Sequence, residues 1–154
     1  MDRTEAIDRE IMQALHERMG DHIHAYTFPP PVFVAMQGKF VAFDPDAAML
    51  QARFPVREDF LNPYGAMQGG MVAAAVDNTL GPLSVLVAPP NVTRTLEMTY
   101  SRAATPEIGT VLVEARLVER KGRKLTFTAE VFSPQGERLA RARALHWVFV
   151  PDFE

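Results

Sequence analysis

The stretch between Asp59 and Arg94 constrains this chain most, because it is neutral, mostly apolar and holds a single charged residue, Asp77. A carboxylate set among small apolar residues loses its hydration, so it must be hydrogen-bonded, neutralised or used in chemistry. Perturbed carboxylates concentrate at functional sites, although structural pairs perturb them too. From the residues alone, Asp77 is equally a catalytic group or a structural one satisfied by the backbone or a neighbouring threonine.

The residues before this carboxylate predict a turn followed by a buried helix. Pro63 and Gly65 mark the turn, and residues 71–76 are apolar helix formers without a breaker. An apolar run with no polar side predicts a helix that is buried all round. We expect it to end near Gly81 and Pro82 or a little beyond.

Gly69 and Gly70 are expected at the N-terminus of that helix. Free backbone N–H groups there, together with the helix dipole, favour an oxygen that carries negative charge. Asp77 follows Gly70 by seven residues. At roughly 3.6 residues per turn the two share a face, yet they lie about 10 Å apart along the axis. One copy of the helix cannot bring both to one small reacting group, whereas two antiparallel copies across a dimer interface could.

Composition indicates one soluble domain and excludes several chemistries. The 154 residues carry a net charge of −3 and no cysteine, which argues against nucleic acid and excludes disulfides, thiolate metal sites and a cysteine nucleophile. The N-terminus is too charged for a secretory signal, and the apolar runs fall short of the roughly 18 residues of a membrane span. We expect a cytoplasmic protein that binds neither membrane nor nucleic acid. Metal-ligand spacing is absent, so ordinary roles are expected for all four histidines: His16, His22, His24 and His146.

The N-terminal segment predicts a helical extension. Residues 2–19 place apolar side chains at spacings of three and four, and Gly20 suits a C-cap. Packing against the body or a partner subunit is favoured over a lid role. Residues 27–31, with three consecutive prolines, predict a stiff extended linker. We therefore divide the chain into a helical extension at residues 1–26 and one main domain at residues 27–154.

The remainder predicts an antiparallel sheet. Alternating patterns and β-branched or aromatic residues predict strands at 32–43, 49–56, 93–102, 111–118 and 125–131, and a last strand that carries Ala140, Ala142 and Ala144. Gly122 suits a hairpin turn. A long antiparallel sheet around one buried helix is an α+β fold.

Several of these residues carry a family resemblance. The segment Asn62-x-x-Gly65-x-x-Gln68-Gly69-Gly70, followed by Asp77, resembles the active-site signature of hotdog-fold thioesterases of the phenylacetate-degradation (PaaI-like) and human thioesterase-superfamily type. That signature usually reads Asn-x-x-Gly-x-x-His-Gly-Gly with a later Asp. Residues 93–104 resemble the strand that follows it, and residues 120–124 its basic hairpin. The resemblance covers roughly residues 55–150 and implies the hotdog fold, with the sheet wrapped around one long buried helix.

The resemblance also implies a reaction. Hotdog thioesterases of this type hydrolyse acyl- or aryl-CoA thioesters in a site shared by two subunits, often in a dimer of dimers, without a metal or cofactor. Carried over to this chain, the signature implies that Asp77 is the general base or nucleophile. It also implies that the N–H of Gly69 or Gly70 binds the thioester carbonyl. Asn62 would help to hold the carbonyl or the attacking water, and Thr93 would assist near the carboxylate.

Gln68 departs from the signature, because it stands where the family usually has histidine. A glutamine amide can donate to a carbonyl or orient a loop, but it neither carries charge nor shuttles a proton. We interpret this substitution as a change in tuning. It also motivates an alternative function, a hotdog module that binds acyl-CoA without turning it over.

A set of cations completes the candidate site. The phosphates of CoA could be bound by basic residues at the end of one strand and in the hairpin, namely Arg102, Arg120, Lys121, Arg123 and Lys124. A charged hairpin is more often a solvated device that protects a sheet edge, so this role is the less favoured one. A hotdog dehydratase or hydratase ranks last, since no histidine sits in a His-Asp motif.

Overall fold

The computed structural model describes residues 2–20 and 27–149; His22 and His24 lie outside these ranges. Within these ranges, three α-helices, two short 3₁₀ turns and six strands follow one another in the order α1 (Arg3–Met19), α2 (Pro31–Ala35), β1 (Lys39–Asp44), β2 (Met49–Pro55), a 3₁₀ turn (Glu58–Phe60), α3 (Gly69–Val87), β3 (Asn91–Tyr100), a 3₁₀ turn (Pro106–Ile108), β4 (Thr110–Lys121), β5 (Lys124–Phe132) and β6 (Arg138–Val148).

The six strands form one antiparallel sheet in the order β1-β2-β4-β5-β6-β3. Helix α3 packs against β2, β3, β4 and β5, and the residues between them are buried, including Leu80, Leu83, Val113 and Phe127. The hairpin between β4 and β5 turns at Gly122, whose φ of 61° lies in the left-handed region that glycine tolerates. This arrangement confirms the predicted α+β fold, a sheet wrapped around one central helix.

The N-terminal helix is present and packs on the body. Ile11 and Leu15 are buried, as the spacing of apolar residues predicts. The Asp8 carboxylate accepts a hydrogen bond of 2.7 Å from the N–H of Phe40, and the Arg18 guanidinium donates one of 3.2 Å to the carbonyl of Val85. α1 is thus fastened to both the first strand and the C-terminal part of α3.

Residues 27–43 differ from the prediction of a linker followed by a strand. Pro31 begins a short helix, α2, and the strand β1 starts only at Lys39. The reason is tertiary. Phe33 on α2 is buried and stacks on Phe40 with ring centroids 4.8 Å apart. A side chain at Gly38 would bring Cβ to 2.6 Å from the Phe33 ring, so the glycine makes room for this contact.

Helix α3 continues to Val87, five residues beyond Pro82. Pro82 has no N–H to donate, so one hydrogen bond of the helix is missing at this point. Packing on both sides compensates, since Leu80 and Leu83 have no exposed surface. By length and composition α3 could also cross a membrane, with a mean hydropathy of 1.4. Its place inside the sheet accounts for that hydropathy.

The prediction that α3 is buried on every side is wrong for the isolated chain. Ala75, Val76 and Leu80 are fully buried, but Gly70 and Asp77 are exposed. The sequence could not reveal the open face, because small apolar residues occupy it where a surface helix normally has polar ones. An open face of this kind leaves room for a second subunit.

Candidate active site

Asp77 meets Thr93 on the open face of α3. The Thr93 hydroxyl, on β3, donates a hydrogen bond of 3.2 Å to Asp77 Oδ1. Asp77 is exposed in the isolated chain, so the loss of hydration expected from its apolar sequence neighbours does not occur there. The contact does bring together two residues that the sequence had assigned to one site.

A third residue, His146, extends this contact into the core. Its Nε2 lies 3.3 Å from the Thr93 hydroxyl oxygen, and its Nδ1 lies 2.7 Å from Asn91 Oδ1. The imidazole is 1% exposed and packs on the Phe127 ring at a centroid distance of 4.6 Å. The structure thus forms a continuous polar chain from Asp77 through Thr93 and His146 to Asn91.

Sequence reasoning missed this role of His146, although a signal was present. His146 continues the alternation of Ala140, Ala142 and Ala144, all of which are buried, and residues of one parity share a face of a strand. A histidine on the inward face needs a polar partner. That partner could not be found in the sequence, because it comes from the pairing of His146 with Thr93 across β6 and β3.

Burial lowers the pKa of His146 below its usual 6.5, and the negative charge of Asp77 opposes this effect. Desolvation disfavours the imidazolium, whereas a nearby carboxylate favours it. Because burial dominates, the neutral imidazole is the resting form at neutral pH.

The N-terminus of α3 forms a second, separate group. Gln68 is the N-cap, is exposed, and makes no capping bond with its side chain. Tyr100 donates a 2.6 Å hydrogen bond to the carbonyl of Gly69, and a Cβ at Gly69 would lie 3.2 Å from the Tyr100 ring. Gly70 is exposed, and a Cβ there would meet nothing within 4 Å. Gly69 is therefore a packing glycine, while Gly70 faces open space.

Asn62 shapes the loop before this helix. Its Oδ1 accepts hydrogen bonds from the N–H groups of Tyr64 at 3.0 Å and Ala66 at 3.2 Å. Side chains of this type commonly stabilise turns in the same way. The amide nitrogen of Asn62 has no partner within residues 2–20 and 27–149, so a donor stays available to a ligand.

Two halves of the predicted site therefore lie at different places on one chain. Gly70 and Asp77 are about 10 Å apart along the axis at roughly 1.5 Å per residue. On β3, Tyr100 lies beside the helix N-terminus and Thr93 beside Asp77. A single chain does not bring the glycine N–H groups and the carboxylate to one reacting carbonyl.

The five candidate cations are likewise divided. Arg120 pairs with Leu125, Leu125 with His146, and His146 with Thr93. Arg120, at the base of the hairpin, therefore lies in the same cross-strand row as His146 and Thr93. Three strand spacings of roughly 4.8 Å separate it from Thr93 by about 14 Å. The remaining hairpin cations are Lys121, Arg123 and Lys124, and Arg123 donates a 2.8 Å bond to the carbonyl of Val148.

Arg102 belongs to the other half. It follows Tyr100 at the far end of β3 and forms an exposed ion pair with Glu137. The structure therefore separates Arg102 from the hairpin cations, which the sequence had grouped with it.

A cavity of about 450 Å³ opens beside Asp77. Its polar end is lined by Asp77, Asn78, Thr93 and His146. Much of its apolar wall comes from α1, α2, β1 and the segment between the first two helices, namely Met12, Leu15, Met19, Phe28, Phe33 and Phe40, and α3 and β3 add Pro82, Val85 and Val92. An apolar cavity with a few convergent polar groups is the usual form of a small-molecule site.

The sequence profile of the thioesterase superfamily matches residues 64–140. The chain belongs to this superfamily. The match begins just before the helix N-terminus and takes in both Asp77 and Thr93, so the polar contact at the cavity lies within the matched region of a thioesterase-superfamily domain. The search of curated proteins gave no match.

Solved structures support the same family. A candidate thioesterase, a phenylacetic acid degradation-related protein from Ralstonia eutropha JMP134, is 26% identical with a TM-score of 0.75, covering 88% of this chain and 98% of its own. The PaaI protein of the phenylacetic acid degradation operon of E. coli is 13% identical with a TM-score of 0.76, covering 94% and 96%.

A third solved structure carries a ligand. The protein smu.793 from Streptococcus mutans UA159, bound to acetyl CoA, is 20% identical with a TM-score of 0.68, covering 84% of this chain and 97% of its own. At these identities the second and third likenesses bear on the fold alone. Together with the family match they confirm the PaaI-like hotdog fold of this thioesterase-superfamily member. The individual roles of its site residues stay predictions.

Proposed function

We propose that this thioesterase-superfamily protein hydrolyses acyl-CoA or aryl-CoA thioesters, with Asp77 as the general base or nucleophile. The hydrogen bond between Thr93 and Asp77 at the mouth of the cavity carries this proposal. A hydroxyl donor fixes the orientation of the carboxylate, and a positioned carboxylate is what activation of water or direct attack on a carbonyl requires.

The acyl group enters the cavity. The walls are aromatic and aliphatic side chains, and the polar groups lie at the end that carries Asp77. A thioester has the matching polarity, since an apolar acyl group ends in the reacting carbonyl. Burial of the acyl chain provides binding energy, and the carbonyl stops beside the carboxylate.

The oxyanion is stabilised by the N-terminus of α3 in a second subunit. As water or the Asp77 carboxylate attacks, the carbonyl oxygen gains negative charge, and free N–H groups at a helix N-terminus stabilise it. Gly70 of the partner subunit, which is open to approach, donates to that oxygen, with Gly69, Asn62 and Gln68 of the partner subunit beside it. Two antiparallel copies of α3 bring these groups to Asp77.

Strand β3 is the surface through which the two subunits join. It forms one end of the sheet and leaves its outer edge open, with Val92 45% exposed and Tyr100 49% exposed. An open edge pairs readily with another strand. Antiparallel pairing of two β3 strands about a two-fold axis sets Thr93 of one chain toward Tyr100 of the partner subunit. We further propose that two such dimers associate into a dimer of dimers, as the resemblance implies.

The same pairing gathers the cations that the single chain separates. Arg102 of the partner subunit approaches the end of β3 that is nearer to the hairpin of Arg120, Lys121, Arg123 and Lys124. Guanidinium and ammonium groups bind phosphate well. The proposed CoA site is therefore also shared between subunits, and the acetyl CoA bound to the similar Streptococcus mutans protein is consistent with a CoA ester as ligand.

Thiol release tests this function. Purified protein mixed with a panel of acetyl-, hexanoyl-, decanoyl-, benzoyl- and phenylacetyl-CoA should release free CoA from at least one of them. Asp77→Asn should lower kcat roughly 100-fold or more, as loss of a general base does. Asp46→Asn, an exposed carboxylate in the turn between β1 and β2, is the matched control and should keep full activity. If every thioester is inert, or if Asp77→Asn is fully active, the proposed hydrolase is wrong.

A non-catalytic acyl-CoA-binding module is the second candidate. Gln68 at the N-cap favours it, since this exposed amide cannot take up or deliver a proton. Such a module would bind decanoyl-CoA saturably in calorimetry and release no thiol over hours. Turnover by the wild-type protein excludes it.

A further inference from the structure

His146 is a buried ionisable side chain that the proposed reaction leaves unused. It is 1% exposed and lies behind Thr93. Its neighbours on β3 and β5, namely Asn91, Thr93 and Phe127, are uncharged, and Asp77 on α3 is the charged group that faces it through Thr93. One hydroxyl therefore joins a buried histidine to the candidate base.

Asn91 determines which nitrogen of His146 carries hydrogen. The amide nitrogen of Asn91 donates to the carbonyl of Pro89 at 2.9 Å, so its Oδ1 faces His146 Nδ1 at 2.7 Å. An amide oxygen can only accept, and the hydrogen-bond network therefore assigns the donor to Nδ1. In the neutral imidazole, Nε2 is then a bare acceptor that points at Thr93.

Thr93 has one hydrogen for two acceptors. Its hydroxyl lies 3.2 Å from Asp77 Oδ1 and 3.3 Å from His146 Nε2. With Asp77 ionised and His146 neutral, one of these two contacts has no hydrogen. One additional proton completes both hydrogen bonds, with His146 donating to Thr93 and Thr93 donating to Asp77. The network is therefore built to hold a proton that it lacks at rest.

We propose, on the basis of the proposed function with Asp77 as general base, that His146 is a positioning residue that stores the proton of the reaction by way of Thr93. As water attacks the thioester carbon, its O–H bond breaks and the proton passes to Asp77. Asp77 hands a proton to the Thr93 oxygen while the Thr93 hydrogen moves to His146 Nε2. Asp77 is again a carboxylate and His146 is an imidazolium.

The second half of the reaction returns the proton. The tetrahedral intermediate collapses, the C–S bond breaks, and the thiolate leaves with the electron pair. His146 Nε2 gives its hydrogen to Thr93, Thr93 gives one to Asp77, and Asp77 protonates the sulfur. One water and one thioester yield one carboxylic acid and one thiol, and all three side chains are restored.

Burial suits His146 to this task. Because burial lowers the pKa of His146 below 6.5, the ring is neutral at rest and readily gives the proton back. Once the pH falls below this lowered pKa, the imidazolium forms before water attacks, and the store is already full. We therefore expect kcat to fall on the acid side as His146 becomes protonated.

The test is the pH profile of kcat for His146→Gln, measured with the best thioester of the panel. Glutamine keeps a polar side chain near Thr93 but cannot titrate. We expect kcat to fall by at most about tenfold and KM to stay within about twofold of the wild type. The decline of kcat at acidic pH should move to lower pH. A merely structural role would not move the decline.

Thr93 provides a second variant that leaves the buried histidine in place. Thr93→Val removes the connecting hydroxyl and should reproduce both effects of His146→Gln, whereas Thr93→Ser should restore kcat and the wild-type profile. Thr126→Val is the matched control: Thr126 is also on a strand and buried, but it pairs with Leu145 and so lies on the opposite face from His146. It should change neither quantity.

The outcomes are distinguishable. The proposal is wrong if His146→Gln lowers kcat with its acidic decline unmoved, or if Thr93→Val keeps the wild-type kcat and profile. If His146→Gln does not fold, the two Thr93 variants decide. If Asp77→Asn loses activity while the His146 and Thr93 variants behave like the wild type, the proposed thioesterase function stands and only the proton store is wrong. An inert wild-type protein overturns both.

Discussion

The two ends of the site differ in how complete they are within one chain. Around Asp77 the structure supplies a hydroxyl partner, a buried histidine and a cavity of about 450 Å³. Around Gly70 it supplies open space and an exposed helix N-terminus. The difference teaches that the half to which we assign proton uptake and acyl binding is formed by intrachain packing. In the proposed mechanism, the half that binds the oxyanion acts only together with the Asp77 of another chain.

Subunit complementation tests most directly whether the two ends of the site come from different chains. Asp77→Asn removes the base. Gly70→Leu should block the oxyanion half, and the Cβ of its new side chain meets nothing within 4 Å. Each variant alone should lose activity roughly 100-fold. Mixed and reassembled, half of the dimers are heterodimers with one intact site of two, so activity should return to about a quarter of the wild type.

The control for this experiment is each variant taken through the same dissociation and reassembly alone. Activity that stays absent in the mixture, with heterodimers verified by mass spectrometry, would place both halves in one subunit. Full activity of Gly70→Leu would remove the helix N-terminus from the mechanism.

Narrowing the cavity tests whether the acyl group binds at the Asp77 end of the site. Met12 on α1 lines the apolar wall, and Met12→Trp should shorten the space for the acyl group. The ratio of kcat/KM for decanoyl-CoA to that for acetyl-CoA should fall about tenfold, a typical effect of pocket shape on an apolar group. Gln13→Trp, on the exposed side of the same helix, is the control. An unchanged ratio in Met12→Trp would mean that the acyl group lies elsewhere.

The sequence predicted the parts of the molecule that depend on local pattern. The spacing of apolar residues in α1, the alternation of β4 and β5 and the glycine at the hairpin are local signals, and the structure contains each element. α2 was predicted as a strand because its residues favour one. Its helix depends on the contact of Phe33 with Phe40 and on Gly38, which lie apart in sequence.

The candidate site follows the same division. Asp77 and Thr93 were found through a motif, and their contact is present. His146 was assigned an ordinary role, because its partner depends on the pairing of β6 with β3, strands that lie far apart along the chain. The open face of α3 was also missed, since a face rich in alanine and glycine has the same composition as a core.

A substitution at Tyr100 tests the Gly70 end of the site with a smaller expected effect. Its hydroxyl donates to the carbonyl of Gly69 at 2.6 Å. Tyr100→Phe should lower the free energy of unfolding by about 1 kcal/mol, the usual net contribution of one hydrogen bond. Urea denaturation measures it. Tyr64→Phe is the control, because Tyr64 is 95% exposed and should show no change. Equal stability of both variants would mean that the hydroxyl does not secure the helix terminus.

The smallest expected effect is the pH dependence of stability at the Asp77 end. Because burial lowers the pKa of His146 in the folded state, the unfolded chain binds the proton more readily. The contribution of His146 to stability is therefore complete above pH 6.5, the usual value, and declines as the pH falls below it. In His146→Gln this part of the decline should disappear, while in His16→Gln, an exposed histidine on α1, it should stay. Urea midpoints between pH 7.5 and 5 measure the difference. An identical decline in both variants would show that His146 is as easily protonated in the folded protein as in the unfolded chain. Burial would then not keep the ring neutral at rest, as the proposed proton store requires.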